Sequence, residues 1–233
     1  MNSKALTGLL LAVGPILMAV AIFGFPGTGS GDEGTAVIVG KIAENIGLHR
    51  VGTLFELAGL VAMMTGWIFL GLSMHGSGKS GSLLAKVAVT LTIICLPIVI
   101  VSSGLSLAVI YMIEDALKPE NAAAMGALMV EAEWLYIISE GVSSPGVIFN
   151  VIGIAWILIG IAMILQKNLP LVSGKSFIGN HFILGILVII VGASLFSMNT
   201  IGDFEIVWII GFMGLVIISL LTGILTITNR NID

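Results

Sequence analysis

The chain has 233 residues, of which 58% are hydrophobic and only 9% are charged, with 13 acidic residues against 9 Lys and Arg. An ordinary soluble domain carries about a quarter charged residues, so the composition excludes a soluble enzyme and a disordered protein, and the acidic balance excludes a nucleic-acid binder. The single cysteine, Cys95, excludes an intramolecular disulfide framework and a cysteine-based metal site, which leaves an integral membrane protein.

Six stretches are long and apolar enough to cross a membrane as helices, which takes about 20 mainly apolar residues. No stretch alternates polar and apolar residues as the strands of a membrane barrel do. The sequence therefore predicts an all-α integral membrane protein, a bundle of six transmembrane helices that forms a single domain, 1–233. The predicted spans cover about residues 5–23, 51–74, 83–112, 147–166, 181–198 and 204–227.

The first and third stretches have features of their own. Lys4 before the first apolar run resembles a signal peptide, but the run is longer than a signal peptide's apolar region and no small-x-small site follows it cleanly. We therefore interpret it as a span. The third stretch is too long for an upright helix, so it must tilt, bend or protrude from the membrane. Pro97 near its middle removes a backbone donor, which allows a bend.

Two of the outer segments are long, and each is predicted to hold an amphipathic helix. In the first, a glycine-rich run leads into a short amphipathic sequence over 35–46, which we expect to form a helix that lies on the membrane. In the second, Asp115 is a candidate N-cap and Pro119 a first-turn residue of a helix over about 119–140 that ends at Gly141. Apolar residues recur there at spacings of three and four, which predicts one apolar face: Met125, Leu128, Met129, Ala132, Leu135 and Tyr136.

The charges indicate an orientation. With the N-terminus inside, the inner segments hold six basic residues and the acid Asp233, whereas the outer segments hold three basic and eleven acidic residues. Basic inner loops predict that both termini face the cytoplasm and that the protein lies in the cell membrane. The inner basic residues are Lys4, Lys79, Lys86, Lys167, Lys175 and Arg230.

The outer acids do not form a predicted metal site. Of Glu131, Glu133 and Glu140, the first two lie about 200° apart on a helix, so they cannot share one ion, and no calcium-loop pattern occurs. We interpret the cluster as a solvated acidic face. The alternative is a face that attracts cations or a basic partner.

Only one ionisable residue, Glu56, lies well inside a predicted span. A carboxyl group in hydrocarbon usually faces protein or a water-filled cavity, so we expect an outward-opening polar pocket. Glu56 is then a protonated bridge between helices, a proton or cation relay, or a group that snorkels outward. The structural alternative to a pocket is that the serine hydroxyl groups only bond the backbone of their own helix. The candidate pocket residues are Glu56, Asn150, Ser102, Ser103, Ser106, Ser194 and Ser197.

Glycines recur every seven residues in three spans, and such small residues let helix backbones approach closely. A shift of 94 residues also aligns the glycines around Glu56 with those around Asn150. This weak duplication makes the two residues equivalents in hairpins that run the same way through the membrane, as in some transporters and in folds duplicated for stability. The predicted packing glycines are Gly52, Gly59, Gly66, Gly146, Gly153, Gly160, Gly185 and Gly192.

Motifs for catalysis and cofactors are missing from the sequence. His49, His75 and His181 lie at span ends, which gives no facing pair for haem. There is no phosphate loop, nucleophile elbow or metalloprotease motif. The sequence therefore predicts no catalytic residue, no cofactor and no metal, and it does not favour an enzyme.

The stretches 47–59 and 160–170, each with the hairpin that follows, resemble a family of small prokaryotic six-span membrane proteins known only as a domain of unknown function. The resemblance covers nearly the whole chain and implies six helices with a long outer segment. It implies no catalytic or binding residue, because the family has none established.

Three functional classes stay open at this point. The first is a non-catalytic accessory or structural subunit of a membrane complex, or a bundle that associates with itself. The second is a small-solute or cation- or proton-linked transporter that uses Glu56 in the polar pocket. The third is an enzyme that modifies lipid. The scarcity of charge within the spans and the glycine stripes favour the first, whose partners would be the lipid bilayer and other membrane subunits or itself, and not nucleic acid.

Overall fold

The computed structural model describes residues 3–25, 34–143, 145–166, 181–198 and 205–228. Every regular element within these ranges is helical, which confirms the predicted all-α fold. A short 3-10 helix at Pro119–Asn121 lies between the fourth and fifth α-helices. The α-helices are α1 (Ser3–Gly24), α2 (Thr35–Glu44), α3 (Ile46–Ser73), α4 (Ser82–Ala116), α5 (Met125–Ser143), α6 (Pro145–Leu165), α7 (His181–Ser197) and α8 (Glu205–Thr228).

Five of these helices, α1, α3, α4, α6 and α8, are long and apolar enough to cross a membrane. The apolar helix α7 has 17 residues, or about 25 Å at the rise of an α-helix, against a hydrocarbon core of about 30 Å. The described residues thus form a helical membrane bundle with five helices of spanning length. The sixth span stays a prediction.

Threonine side chains within the long helices are satisfied by the helix that carries them. Thr65, Thr92 and Thr226 each donate a hydrogen bond to the carbonyl oxygen four residues earlier, over 2.7, 2.9 and 2.7 Å. In an apolar surrounding this local bond is the cheapest way to satisfy a hydroxyl group. The helices α1 and α4 also continue through Pro15 and Pro97.

The largest departure from the predicted elements lies between α4 and α5. Asp115 does not cap a following helix, so that prediction was wrong. It lies in the last turn of α4, where its carboxylate accepts a hydrogen bond from Lys118 Nζ at 2.8 Å, which raises the pKa of Lys118. Its carbonyl oxygen accepts a second bond from Asn121 Nδ2. Because these bonds hold the segment in a turn, α5 begins at Met125, not near Pro119, and it continues past Gly141.

The described residues form two compact units. Unit 1 comprises Met1–Ile16, Gly59–Pro97 and Pro145–Asp233, and unit 2 comprises Leu17–Ala58 and Ile98–Ser144. The helices α1, α3 and α4 contribute residues to both. Each unit therefore consists of discontinuous stretches, and the single domain stays a prediction.

Unit 2 has an apolar core that fixes the short helix α2. The buried residues Ile38, Val39 and Ile42 of α2 belong to one cluster with α4 and α5. The helix predicted over 35–46 is therefore present as Thr35–Glu44, but the expectation that it lies on the membrane was wrong, because its apolar face packs against protein. The α4 and α5 members of the cluster are Val109, Ile110, Ile113 and Ala132.

Candidate functional site

The predicted pocket residues are divided between the two units. Unit 2 holds Glu56, Ser102, Ser103 and Ser106, whereas unit 1 holds Asn150, Ser194 and Ser197. The pocket as a whole therefore stays a prediction.

Unit 2 brings two of the predicted serines together with a third. The hydroxyl groups of Ser106 and Ser139 share a hydrogen bond of 2.9 Å, and Ser106 Oγ also lies 3.2 Å from the carbonyl oxygen of Ser102. Ser139 Oγ lies 3.5 Å from that carbonyl. The hydroxyl groups thus tie α5 to α4 at a buried position.

Sequence reasoning missed Ser139, although a signal for it was present. The residue lies three and four positions after Tyr136 and Leu135 on the predicted apolar face of α5. A polar residue on an otherwise apolar helix face needs a partner when it is buried. The serines of the adjacent span were the available partners.

Glu56 lies on the surface of unit 2, where its residue is exposed. Its carboxyl group is near enough to that of Glu140 on α5 for the two to interact electrostatically. Glu140 follows Ser139 directly, so one turn of α5 carries both a serine of the cluster and a second carboxylate. The sequence interpretation assigned Glu140 only to the outer acidic face and did not connect it with Glu56.

A charged and aromatic cluster lies where α3 begins and α4 ends. Arg50 Nη2 donates to Glu114 Oε2 in an ion pair, and the guanidinium carbon lies 4.7 Å from the centroid of the Tyr111 ring. Tyr111 and Glu114 are three residues apart on α4 and share a face, so one arginine reaches both. Consecutive antiparallel spans place the start of one beside the end of the other, which could have predicted this pair.

Two nitrogen atoms near this cluster are buried and have no hydrogen-bond partner among the described residues: His49 Nε2 and Arg50 Nε. The His49 ring bonds the backbone carbonyl group of Lys41. The imidazole therefore links α3 to α2, which is a structural role.

Unit 1 confirms close helix packing at several of the predicted glycines. A Cβ atom built on Gly153 would lie 2.6 Å from Gly192 O, and one built on Gly160 would lie 2.6 Å from Gly185 O. The approach is mutual, because a Cβ atom on Gly185 would lie 2.7 Å from Gly160 O. The backbones of α6 and α7 therefore touch directly.

The predicted glycines of α3 do not pack as their proposed equivalents on α6 do. Gly59 and Gly66 of α3 face α1: Gly59 O lies 2.7 Å from a Cβ atom built on Gly14, and a Cβ on Gly66 would meet Leu11. In unit 2, a Cβ atom on Gly52 would lie 3.2 Å from Phe25. The surroundings of Gly146 lie outside the described part of the structure.

Sequence reasoning missed further glycine contacts of α8. A Cβ atom on Gly223 would lie 2.8 Å from Gly8 O of α1, and one on Gly214 would lie 2.4 Å from a methyl group of Val191 of α7. The spacing of these glycines is not seven, so a search for that period does not find them.

Buried polar groups of unit 1 form structural links. Trp67 Nε1 donates to Ser219 Oγ at 2.8 Å, and the Trp67 ring packs against Trp156 with centroids 4.5 Å apart. Gln166 Nε2 donates to Met74 O at 2.9 Å, which joins the ends of α6 and α3.

The predicted pocket residues of unit 1 lie on two helices. On α7, Ser197 Oγ donates to Ser194 O at 3.1 Å, so these two residues bond along their own helix. On α6, the Asn150 Oδ1 atom is buried and has no partner among the described residues.

Comparisons with protein-family models, with curated proteins and with solved structures find no match to this chain. The resemblance of residues 47–59 and 160–170 to a six-span family therefore stays a prediction.

Proposed function

We propose that this chain is a non-catalytic accessory subunit of a membrane protein complex. The observation that carries the proposal is how the polar groups within the long helices are used. Hydroxyl groups bond the preceding turn of their own helix, as in Thr53, Thr90 and Thr222, or they link one helix to the next, as in Ser219. A transport path needs polar groups that are left for a solute, and these hydroxyl groups are not left for one. The buried Asn150 Oδ1 atom, which has no partner among the described residues, is an exception.

The glycine contacts support the same role. Contacts between the backbones of α6 and α7 hold a bundle rigidly. In lipid no hydrophobic force drives helices together, so close approach stabilises them through dispersion attraction between their atoms. A rigid bundle with few intramembrane charges is suited to support another protein in the bilayer.

Purification from the native membrane in a mild detergent tests the proposal. We expect a fixed set of other membrane proteins to accompany the chain in constant ratio. A monodisperse single chain would refute the proposal, and recovery of copies of this chain alone would replace it with a self-associating bundle.

We further propose six spans, with α7 as the fifth in chain order, and both termini in the cytoplasm of a cell whose plasma membrane holds the protein. The chain's one cysteine, Cys95, is buried, so Cys95→Ala gives a clean background for labelling. With a membrane-impermeant maleimide, Glu120→Cys should react in intact cells and Ser77→Cys only after permeabilisation. The reverse pattern would refute the orientation. Membership of the six-span family of unknown function is a part of this proposal.

A transporter is the second candidate, and the carboxyl groups of Glu56 and Glu140 favour it, because they interact electrostatically and Glu140 directly follows Ser139 of the serine cluster in unit 2. Two neighbouring carboxylates with hydroxyl groups are suited to exchange a proton or a cation. In reconstituted vesicles, Glu56→Gln should then abolish pH-dependent flux, whereas Glu131→Gln should leave it unchanged. Flux that Glu56→Gln does not alter would make the carboxylate structural.

A further inference from the structure

The helix α5 has two apolar faces, and only one of them packs against unit 2. The inner face carries Ala132 and Ser139, both buried, with Leu135 partly buried beside the core. The opposite face carries Val130, Trp134 and Ile137, which are 51%, 63% and 47% exposed. A helix that is apolar on both sides needs a second apolar neighbour.

The exposed face follows a heptad pattern. Its residues are separated by three, four, three and four positions, which is the spacing of a stripe that packs against one other helix. The stripe covers about four turns of α5. Its members, which we call the α5 stripe, are Ala127, Val130, Trp134, Ile137 and Gly141, and all five are exposed.

Carboxylates border the α5 stripe on both sides. Glu133 and Glu140 lie on one edge, at positions that directly precede stripe residues, and Glu131 lies on the other edge. At such edge positions, charges select the partner helix and its direction. The stripe therefore fits a helix whose own edges carry Lys or Arg.

A lipid surface fits the α5 stripe less well. Helices that lie on a bilayer are rich in Lys and Arg at their polar edges, since lipid head groups are commonly anionic. The sequence has no Lys or Arg between Lys118 and Lys167, and α5 holds three Glu residues. The edges of the stripe would be repelled by an anionic surface.

A second copy of this chain also fits less well. In an antiparallel pair, Glu133 and Glu140 of one copy would meet the same residues of the other, and like charges at these positions destabilise the pair. In a parallel pair, Glu133 would face Ile138, which offers no charge to pair with.

We propose that the α5 stripe binds a helix of a partner membrane protein, a helix that is apolar along one stripe and bordered by Lys or Arg. This inference rests on the proposed function as a subunit and specifies where the partner binds and what chemistry its helix carries. Trp134 is the central contact, because it is the largest side chain of the stripe and is more exposed than Val130 and Ile137, and aromatic residues dominate binding at such positions.

Two synthetic peptides test the chemistry on the full chain in phosphatidylcholine nanodiscs. Both carry Leu along one heptad stripe, and they differ only at the edges, with Lys in one and Glu in the other. We expect the Lys peptide to bind at least tenfold more tightly by fluorescence anisotropy. Trp134→Ala should weaken binding of the Lys peptide about tenfold, and so should the double variant Glu133→Gln with Glu140→Gln. Val101→Ala changes an exposed site of α4 and should leave that binding unchanged.

Equal binding of the two peptides, binding of neither, or binding that survives Trp134→Ala would each overturn the proposal. The chain has four tryptophans, so the Trp134 signal is taken as the fluorescence that Trp134→Phe removes. If brominated lipid quenches that signal as strongly with the Lys peptide as without it, the stripe belongs to lipid. Dimerisation that Trp134→Ala abolishes would assign it to a second copy.

A photo-crosslinking residue at position 134, used in native membranes, separates this proposal from the proposed function. Partners that purify with the chain but do not crosslink at 134 would overturn the binding site and leave the subunit role intact. Peptide binding without any co-purifying partner would overturn the subunit role and leave the chemistry of the α5 stripe intact.

Discussion

The contact between α6 and α7 leads to a specific prediction about Gly160. A Cβ atom there would lie 2.6 Å from Gly185 O and 3.1 Å from the backbone nitrogen of Ile189. The first distance is about 0.8 Å short of an ordinary contact of 3.4 Å. The obstacle is backbone, so a side-chain rotation does not relieve the clash, and Gly160→Ala must push the two helices apart.

The magnitude follows from the contacts that such a displacement weakens. A gap of 0.5 to about 1 Å removes about a quarter to a half of the dispersion energy of each atom pair along an interface. Overpacking of this kind costs about 1–3 kcal/mol. We therefore expect Gly160→Ala to lower the free energy of unfolding by about 1–3 kcal/mol, although alanine favours a helix over glycine by about 1 kcal/mol.

Gly104 of α4 is the matched control, because nothing lies within 4 Å of a Cβ atom built there. Gly104→Ala should leave stability unchanged or raise it slightly. Unfolding in mixed micelles by a graded denaturing detergent measures both variants. The double variant Gly160→Ala with Gly185→Ala should cost less than the sum of the single changes, since the first already separates the helices. Equal stability of Gly160→Ala and Gly104→Ala would refute the direct backbone contact.

Three further predictions concern polar contacts. Ser219→Ala should destabilise unit 1 by about 1–3 kcal/mol in the same unfolding assay, since it leaves the buried Trp67 N–H without its acceptor. Ser219→Thr should restore most of the loss, and an unchanged midpoint for Ser219→Ala would contradict the hydrogen bond. Gln166→Leu should increase hydrogen exchange at the end of α3, since it removes the donor to Met74 O; unchanged exchange there would contradict that link. Glu114→Gln should change the unfolding free energy by less than about 1 kcal/mol, because that side chain is 45% exposed and solvent screens the ion pair. A loss of several kcal/mol would show that the ion pair is desolvated.

The helical architecture follows largely from local sequence. Long apolar runs have to be helical in a bilayer because their backbone groups have no other partner, which is why α1, α6 and α8 begin and end within about two residues of the predictions. The α2 helix is predicted correctly by its amphipathic pattern. The start of α5 is not, because Asp115 is suited to cap a helix and is equally suited to hold the turn through Lys118.

The contacts between helices follow less directly. The seven-residue period finds Gly153, Gly160, Gly185 and Gly192, because a straight stripe recurs at that spacing. It cannot assign partners, so it does not indicate that Gly59 faces α1. The second apolar face of α5 was overlooked for a similar reason. The residues of one apolar face suffice to explain a helix on a surface, so the pattern gave no reason to expect a second one.

The most direct test of the subunit role is the mass of the particle released from the native membrane, measured by native mass spectrometry with detergent removed in the gas phase. We predict a single dominant species that exceeds the mass of the chain by a constant amount and that releases other polypeptides on activation. A species with the mass of one chain, together with pH-dependent flux that Glu56→Gln abolishes, would contradict the subunit role and favour transport.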